Sequence, residues 1–212
     1  ADGKYIVSSD GAYGEAGTIK LWELKTGKEL RTFIGHRDKV NSVAITPDGK
    51  YIVSSGNWDG TIRLWEVSSG KELRIFSEHM GRVDSVVLTP DGKYIVNTDG
   101  STIKLWEISS GKLLQIFEGH SKIINSIAIT PDGKYIVSGS LDNRIKIWEI
   151  SSGKEIQSFN WFPNNWLQNI IVSVAITPDG KYIISGGNDN TINLMEISSG
   201  KILQTFEDYT EE

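Results

Sequence analysis

The chain is 212 residues long, with a formal net charge of −5 and no cysteine, which removes disulfides, thiolate metal sites and cysteine nucleophiles together. Charges of both signs are scattered, with no run of five or six of one sign, so no nucleic-acid or membrane partner is expected. No apolar run approaches the roughly 18 residues of a membrane span, and the absence of cysteine suits a reducing, cytoplasmic setting.

One turn sets the order along the chain. Asp-Gly-Lys-Tyr-Ile occurs five times, with its glycine at Gly3, Gly49, Gly92, Gly133 and Gly180 and spacings of 46, 43, 41 and 47 residues. A period in the low forties, built from short apolar runs cut by turn residues, is the mark of a repeat architecture. The first repeat predicts three strands, Lys4–Ser8, Thr18–Leu24 and Glu29–Phe33. Between the first two lies Gly11-Ala12-Tyr13-Gly14-Glu15-Ala16-Gly17, which looks like a phosphate-cradling loop but leads into a strand, so a lengthened hairpin loop is expected instead. Each later repeat predicts four strands, and the fourth repeat is the clearest. Ile123–Ile129, Tyr135–Ser140, Arg144–Ile150 and Glu155–Phe159 are separated by Pro131-Asp132-Gly133, Asp142-Asn143 and Ser151-Ser152-Gly153-Lys154. Asp-Gly and Ser-Gly turns between such runs are hairpin signals. The first two strands of a unit are apolar on nearly every residue, which suits sheets covered on both faces. The count is nineteen strands, in one domain spanning residues 1–212.

Gly35-His36, Gly119-His120 and the weaker Glu78-His79 precede first strands, and Leu21-Trp22-Glu23, Leu64-Trp65-Glu66, Leu105-Trp106-Glu107 and Ile147-Trp148-Glu149 end third strands. With the period, these residues resemble the WD-repeat β-propeller family, Trp-Glu standing where the family more often has Trp-Asp. The resemblance implies an all-β propeller of four-stranded antiparallel blades, here a partial blade 1–34 and blades 37–77, 80–118, 121–159 and 169–207. Blade one lacks its innermost strand. Propellers of the family usually close a ring of about seven blades, so part of a larger propeller or a self-associating arc is expected, with a five-bladed ring as the third reading. The phrasing Asp-Gly-Lys-Tyr-Ile-Val-Ser is similar to bacterial, especially cyanobacterial, members, in which such arrays are often sensor modules.

The resemblance also assigns buried tetrads. In blade two they are His36, Ser54, Asp59 and Trp65, and in blade four His120, Ser138, Asp142 and Trp148. Imidazole bridges an aspartate and a hydroxyl, and the hydroxyl reaches the indole N–H, so buried polar groups satisfy one another. Serine, histidine and aspartate also spell a hydrolase triad, but recurrence once per blade and uneven loss favour a scaffold. Blade three has Asn97 in place of serine, blade five has Met195 in place of tryptophan beside Ser185 and Asp189, and in blade one Glu15 loosely replaces the aspartate. One histidine per blade is too sparse for a shared metal. No catalytic, metal or cofactor site is expected.

Aromatic departures mark the loops. Trp161, Phe162 and Trp166 replace the Gly-His loop before blade five, Trp58 sits beside Asp59, and Met80 follows His79. In a propeller these loops share one face, with Arg37 and Lys39 near them and the Tyr13 loop beside, and such residue types are enriched at binding hot spots. The competing reading has Trp161 and Trp166 plugging the central opening. The expected function is a non-catalytic protein-protein interaction scaffold or sensor that grips a protein or peptide through this face. The alternative, a small-ligand or carbohydrate binder in the central channel, has only Asn41, Asp84 and Asn125 on the first strands to work with.

Overall fold

The computed structural model describes residues 3–12, 14–77, 81–160 and 170–207, and among these it holds nineteen strands and no helix. Sheet one is β1 (Tyr5–Ser9), β2 (Thr18–Glu23) and β3 (Glu29–Ile34). Sheet two is β4 (Val40–Ile45), β5 (Tyr51–Gly56), β6 (Ile62–Glu66) and β7 (Glu72–Phe76). Sheet three is β8 (Val86–Leu88), β9 (Tyr94–Asp99), β10 (Thr102–Glu107) and β11 (Leu113–Phe117). Sheet four is β12 (Ile124–Ile129), β13 (Tyr135–Ser140), β14 (Arg144–Glu149) and β15 (Glu155–Asn160). Sheet five is β16 (Ile171–Ile176), β17 (Tyr182–Gly187), β18 (Thr191–Glu196) and β19 (Ile202–Glu207). Every sheet is an antiparallel meander, and the inner strands β4, β8, β12 and β16 follow one another side by side, with β1 against β4. These are propeller blades in an arc that does not close into a ring.

The repeated turn explains its own residues. Thr46 Oγ1 donates to Asp48 Oδ1 at 2.6 Å, Lys50 N–H donates to the same oxygen at 3.0 Å, and Tyr51 N–H donates to Thr46 Oγ1 at 3.0 Å. The pattern recurs at Thr89, Thr130 and Thr177. Gly92 has φ +70°, a left-handed conformation that glycine adopts without the Cβ clash, and a Cβ there would lie 3.2 Å from Pro47 of the previous blade. Threonine, proline, aspartate and glycine thus form one packed corner.

Between blades the core has two sides. Val53, Ile62, Leu64 and Phe76 of blade two meet Val83, Val86, Ile95 and Trp106 of blade three. Equivalent residues meet at the other three interfaces. Phe33, Phe76 and Phe117 each turn an edge to the next blade's tryptophan, at ring-centre distances of 5.9, 5.6 and 6.1 Å. Each fully buried side chain of this kind contributes about 1.5–3 kcal/mol.

The inner strands are stitched by polar side chains. Asn41 Nδ2 donates to Val83 O at 3.1 Å, Asn125 Nδ2 donates to Ile171 O at 2.8 Å, and Val174 N–H donates to Ser126 Oγ at 3.1 Å. Asn41 and Asn125, among the few polar residues the first strands offer a channel ligand, are therefore inter-blade ties. Blade three departs here. The sequence offers a six-residue inner strand, but the ladder holds only Val86–Leu88, because Asp84 N–H and Ser85 N–H both donate to Thr98 Oγ1 at 3.1 Å.

Candidate functional site

Buried tetrads hold the loops of blades two and four. In blade two, Trp65 Nε1–H donates to Ser54 Oγ at 2.8 Å, Ser54 Oγ lies 2.7 Å from His36 Nε2, and His36 Nδ1 lies 2.7 Å from Asp59 Oδ2. Asp59 also accepts Arg37 N–H at 3.1 Å and Thr61 N–H at 3.0 Å. Burial alone pushes the Asp59 carboxyl up, but the His36 bond and charge and the two backbone donors outweigh it and hold the pKa at about 2. Blade four repeats the set. Trp148 Nε1–H to Ser138 Oγ is 2.8 Å, Ser138 Oγ to His120 Nε2 is 2.7 Å, and His120 Nδ1 to Asp142 Oδ2 is 2.8 Å. Both serines are fully buried beneath tryptophan, so neither hydroxyl can meet a substrate.

The other blades depart in instructive ways. In blade three, Asn97 Oδ1 accepts Trp106 Nε1–H at 2.8 Å, and Asp99 pairs with Lys104 at 2.7 Å. In blade five, Ser185 Oγ is buried with no hydrogen-bond partner among the described residues, and a buried Met195 stands at the tryptophan's strand position. In blade one, Asp10 rather than Glu15 takes the aspartate's part, accepting Thr18 N–H at 2.7 Å and Thr18 Oγ1–H at 2.9 Å. The reason is spacing. Asp59 and Asp189 stand two residues before a threonine, but Ala16 stands two before Thr18, so the carboxylate comes from the end of β1.

Trp58 projects from the turn beside Asp59 and is 59% exposed. It lines a groove of about 450 Å³ together with Arg82, Asp84, Asp99, Gly100 and Ile123, among others. The groove runs from the β5–β6 turn of blade two, past the segment entering β8 and the β9–β10 turn of blade three, to the entrance of β12 in blade four. Arg82 Nε–H donates to Asp84 Oδ1 within it, and burial outweighs that pairing to push the Asp84 carboxyl above the ordinary range. An exposed indole, an aliphatic Ile123 and a paired guanidinium–carboxylate can hold an apolar side chain while fixing a polar group beside it.

Of the charged residues expected near Trp58, Arg37 and Lys39 are exposed in the loop leading to β4 but do not line the groove. Tyr13, Met80, Trp161, Phe162 and Trp166 lie outside the described residues. Sequence reasoning missed Arg82, Asp99 and Ile123. They precede or end strands at positions with no periodic signal, and only folding brings three blades' loops together. Among the described residues no group of three histidine, aspartate or glutamate side chains is arranged as a metal site.

The WD domain, G-beta repeat, matches residues 27–66, 70–107, 111–149 and 155–194. Each match begins at or just before the outer strand of one sheet and runs to the third strand of the next, so the sequence repeat straddles two blades. The chain is 44% identical to a Lissencephaly-1 homolog of Heterostelium pallidum over 21% of this chain and 13% of that protein. It is 50% identical to a Lissencephaly-1 homolog of Dictyostelium discoideum over 19% of this chain and 10% of that protein, and 51% identical to the WD40 repeat-containing protein HOS15 of Arabidopsis thaliana over 16% and 6%. The chain thus spans about a tenth of the length of these relatives, and all three are eukaryotic, which lends no support to the bacterial phrasing of the repeats. The four family matches together cover most of the chain and include the strand ends Trp65-Glu66, Trp106-Glu107 and Trp148-Glu149, so the chain belongs to the WD-domain, G-beta-repeat family.

Proposed function

We propose that this chain is a non-catalytic interaction module that takes a peptide or loop of a protein partner in the groove between Trp58 and Ile123. The carrying observation is the exposed Trp58 indole over a groove assembled from three consecutive blades. Tryptophan and arginine dominate binding hot spots, and WD repeats are generally protein-interaction modules. The central-channel reading has no comparable support, since the Asn41 and Asn125 amides are engaged by inter-blade carbonyls and Asp84 by Arg82. A second partner class, proposed beside it, is another copy of the chain. A reducing, cytoplasmic setting belongs to the same proposal.

Panning a displayed peptide library on the protein tests the groove. Selected peptides should bind the native chain and lose at least tenfold in affinity on Trp58→Ala and on Arg82→Ala, with each variant melting within a few degrees of the parent. Peptides that bind both variants undiminished would place the interaction elsewhere and refute the assignment.

A further inference from the structure

Three carboxylates stand on the loops around the Trp58 groove, and each is already engaged. Asp59 is held by His36, Asp84 by Arg82 and Asp99 by Lys104, and these carboxylate side chains are at most 8% exposed. Arg82 differs, with 40% of its side chain exposed. Its Nε–H donates to Asp84 Oδ1, and its two Nη groups have no acceptor of their own among the described residues. Asp84 is itself fixed, since its N–H and that of Ser85 both donate to Thr98 Oγ1 at 3.1 Å. A guanidinium held along its Nε edge keeps its terminal pair of N–H donors for a planar acceptor, and a carboxylate matches that fork with two bonds.

The rim adds positive charge. Arg37 and Lys39 are exposed in the loop leading to β4. That loop is bound to the Trp58 turn, with Arg37 N–H donating to Asp59 Oδ2 at 3.1 Å and Asn57 N–H donating to Lys39 O at 2.8 Å. Lys122 is exposed beside Ile123 on the opposite wall, whereas Glu118, exposed after β11, lines no part of the groove. On a chain of net charge −5, this edge is a local exception, and such a field steers an acidic partner toward it. We propose that the groove takes an acidic segment of a protein partner, in which an aspartate or glutamate side chain seats on the Arg82 fork and a neighbouring apolar side chain lies between Trp58 and Ile123. The groove crosses loops of three blades, so the segment runs through it, and the carboxylate belongs to a side chain within the segment rather than to a chain end. The inference rests on the groove reading above and adds to it the chemistry of the occupant.

The test starts from peptides panned on the 212-residue chain that lose binding on Trp58→Ala, remade as labelled synthetic peptides and titrated by fluorescence anisotropy. They should share an aspartate or glutamate beside an aliphatic or aromatic residue. Replacing that acid by its amide in the peptide leaves the protein untouched and should weaken binding about tenfold or more, as a charge-assisted pair requires. Against Arg82→Gln the same peptide change should cost less than about twofold. Added salt should weaken the acidic peptide more than its amide form, a comparison that needs no variant of the protein. Trp58-dependent peptides that carry no acid, or that bind as well with the amide, overturn the acidic segment and leave the groove standing. An amide cost that is the same in Arg82→Gln places the carboxylate on another cation and overturns the Arg82 seat. A library that yields no peptide dependent on Trp58 overturns both this inference and the groove.

Discussion

Removing one hydroxyl should have opposite effects in neighbouring blades. Ser138 Oγ lies 2.7 Å from His120 Nε2 and accepts Trp148 Nε1–H at 2.8 Å, all three groups being buried. Ser138→Ala removes the hydroxyl's bonds to both rings, along with its long 3.4 Å contact to Lys146 O, and strands two buried ring nitrogens, for which the combined loss is about 3 kcal/mol. Ser185 occupies the same strand position in blade five, but its Oγ is buried with no partner among the described residues. Ser185→Ala removes a desolvated group that gives nothing back, and should stabilise by about 1 kcal/mol. A domain of this size shifts by roughly 2–4 °C per kcal/mol, so scanning calorimetry should show Ser138→Ala melting about 10 °C lower and Ser185→Ala a few degrees higher. Near-UV circular dichroism should report altered tryptophan packing only for Ser138→Ala. If the two variants shift in the same direction by similar amounts, the tetrad is not what separates blade four from blade five, and the reasoning fails.

Acid should weaken blade two in a defined window. The Asp59 pKa of about 2 lies below its ordinary 3.8, so its charged form stabilises the fold fully above about pH 4, and up to about 2 kcal/mol is lost as pH falls toward 2. Asp142 is shifted down as well, with burial opposed by the His120 bond and the Ser121 N–H, and adds loss in the same direction. Melting temperatures at pH 5 and pH 2.5 should differ less in Asp59→Asn than in the parent, and an unchanged difference would contradict the assignment. Asn41→Ala should cost about 1–2 kcal/mol by releasing Val83 O, read as a lower urea midpoint, whereas a channel-ligand role would leave the midpoint untouched.

The blades were legible because their strands are short, their turns are stereotyped, and each turn residue answers a local demand. Thr46, Asp48 and Gly49 need only each other and Tyr51, so their pattern survives in sequence. The tetrads were legible at longer range through the family resemblance, since His36 and His120 each stand 18 residues before their serine, although Asp59 stands five residues after Ser54 and Asp142 only four after Ser138. Where a residue's partner lies in another blade, spacing says little. Asn41 and Asn125 were legible only as scarce polar residues on the first strands, because nothing in the sequence shows that Val83 O and Ile171 O would face them. Asp10 was passed over for Glu15 because the lengthened loop breaks the offset from which the other aspartates are found.

The groove shows how these two scales combine. Its exposed indole at Trp58 is adjacent to Asp59, a carboxylate held by His36, Arg37 N–H and Thr61. Its far wall at Ile123 is held by blade four, where Ser140 Oγ–H and Leu141 N–H both donate to Ile123 O at 2.9 Å. Ser140 Oγ also accepts the backbone N–H of Asp142 at 3.1 Å, which ties that wall to the second tetrad. The floor comes from blade three, in which Asn97 replaces the tetrad serine and Asp99 turns to Lys104. The blades that keep their tetrads therefore fix the two walls, and the blade that has changed supplies the chemistry between them. A binding aromatic on a turn with no such anchor would lose more conformational freedom on contact, at about 0.5–1.5 kcal/mol per immobilised side chain. In the proposed binding mode the tetrad therefore bears on recognition without touching a partner, because it holds the turn from which Trp58 projects.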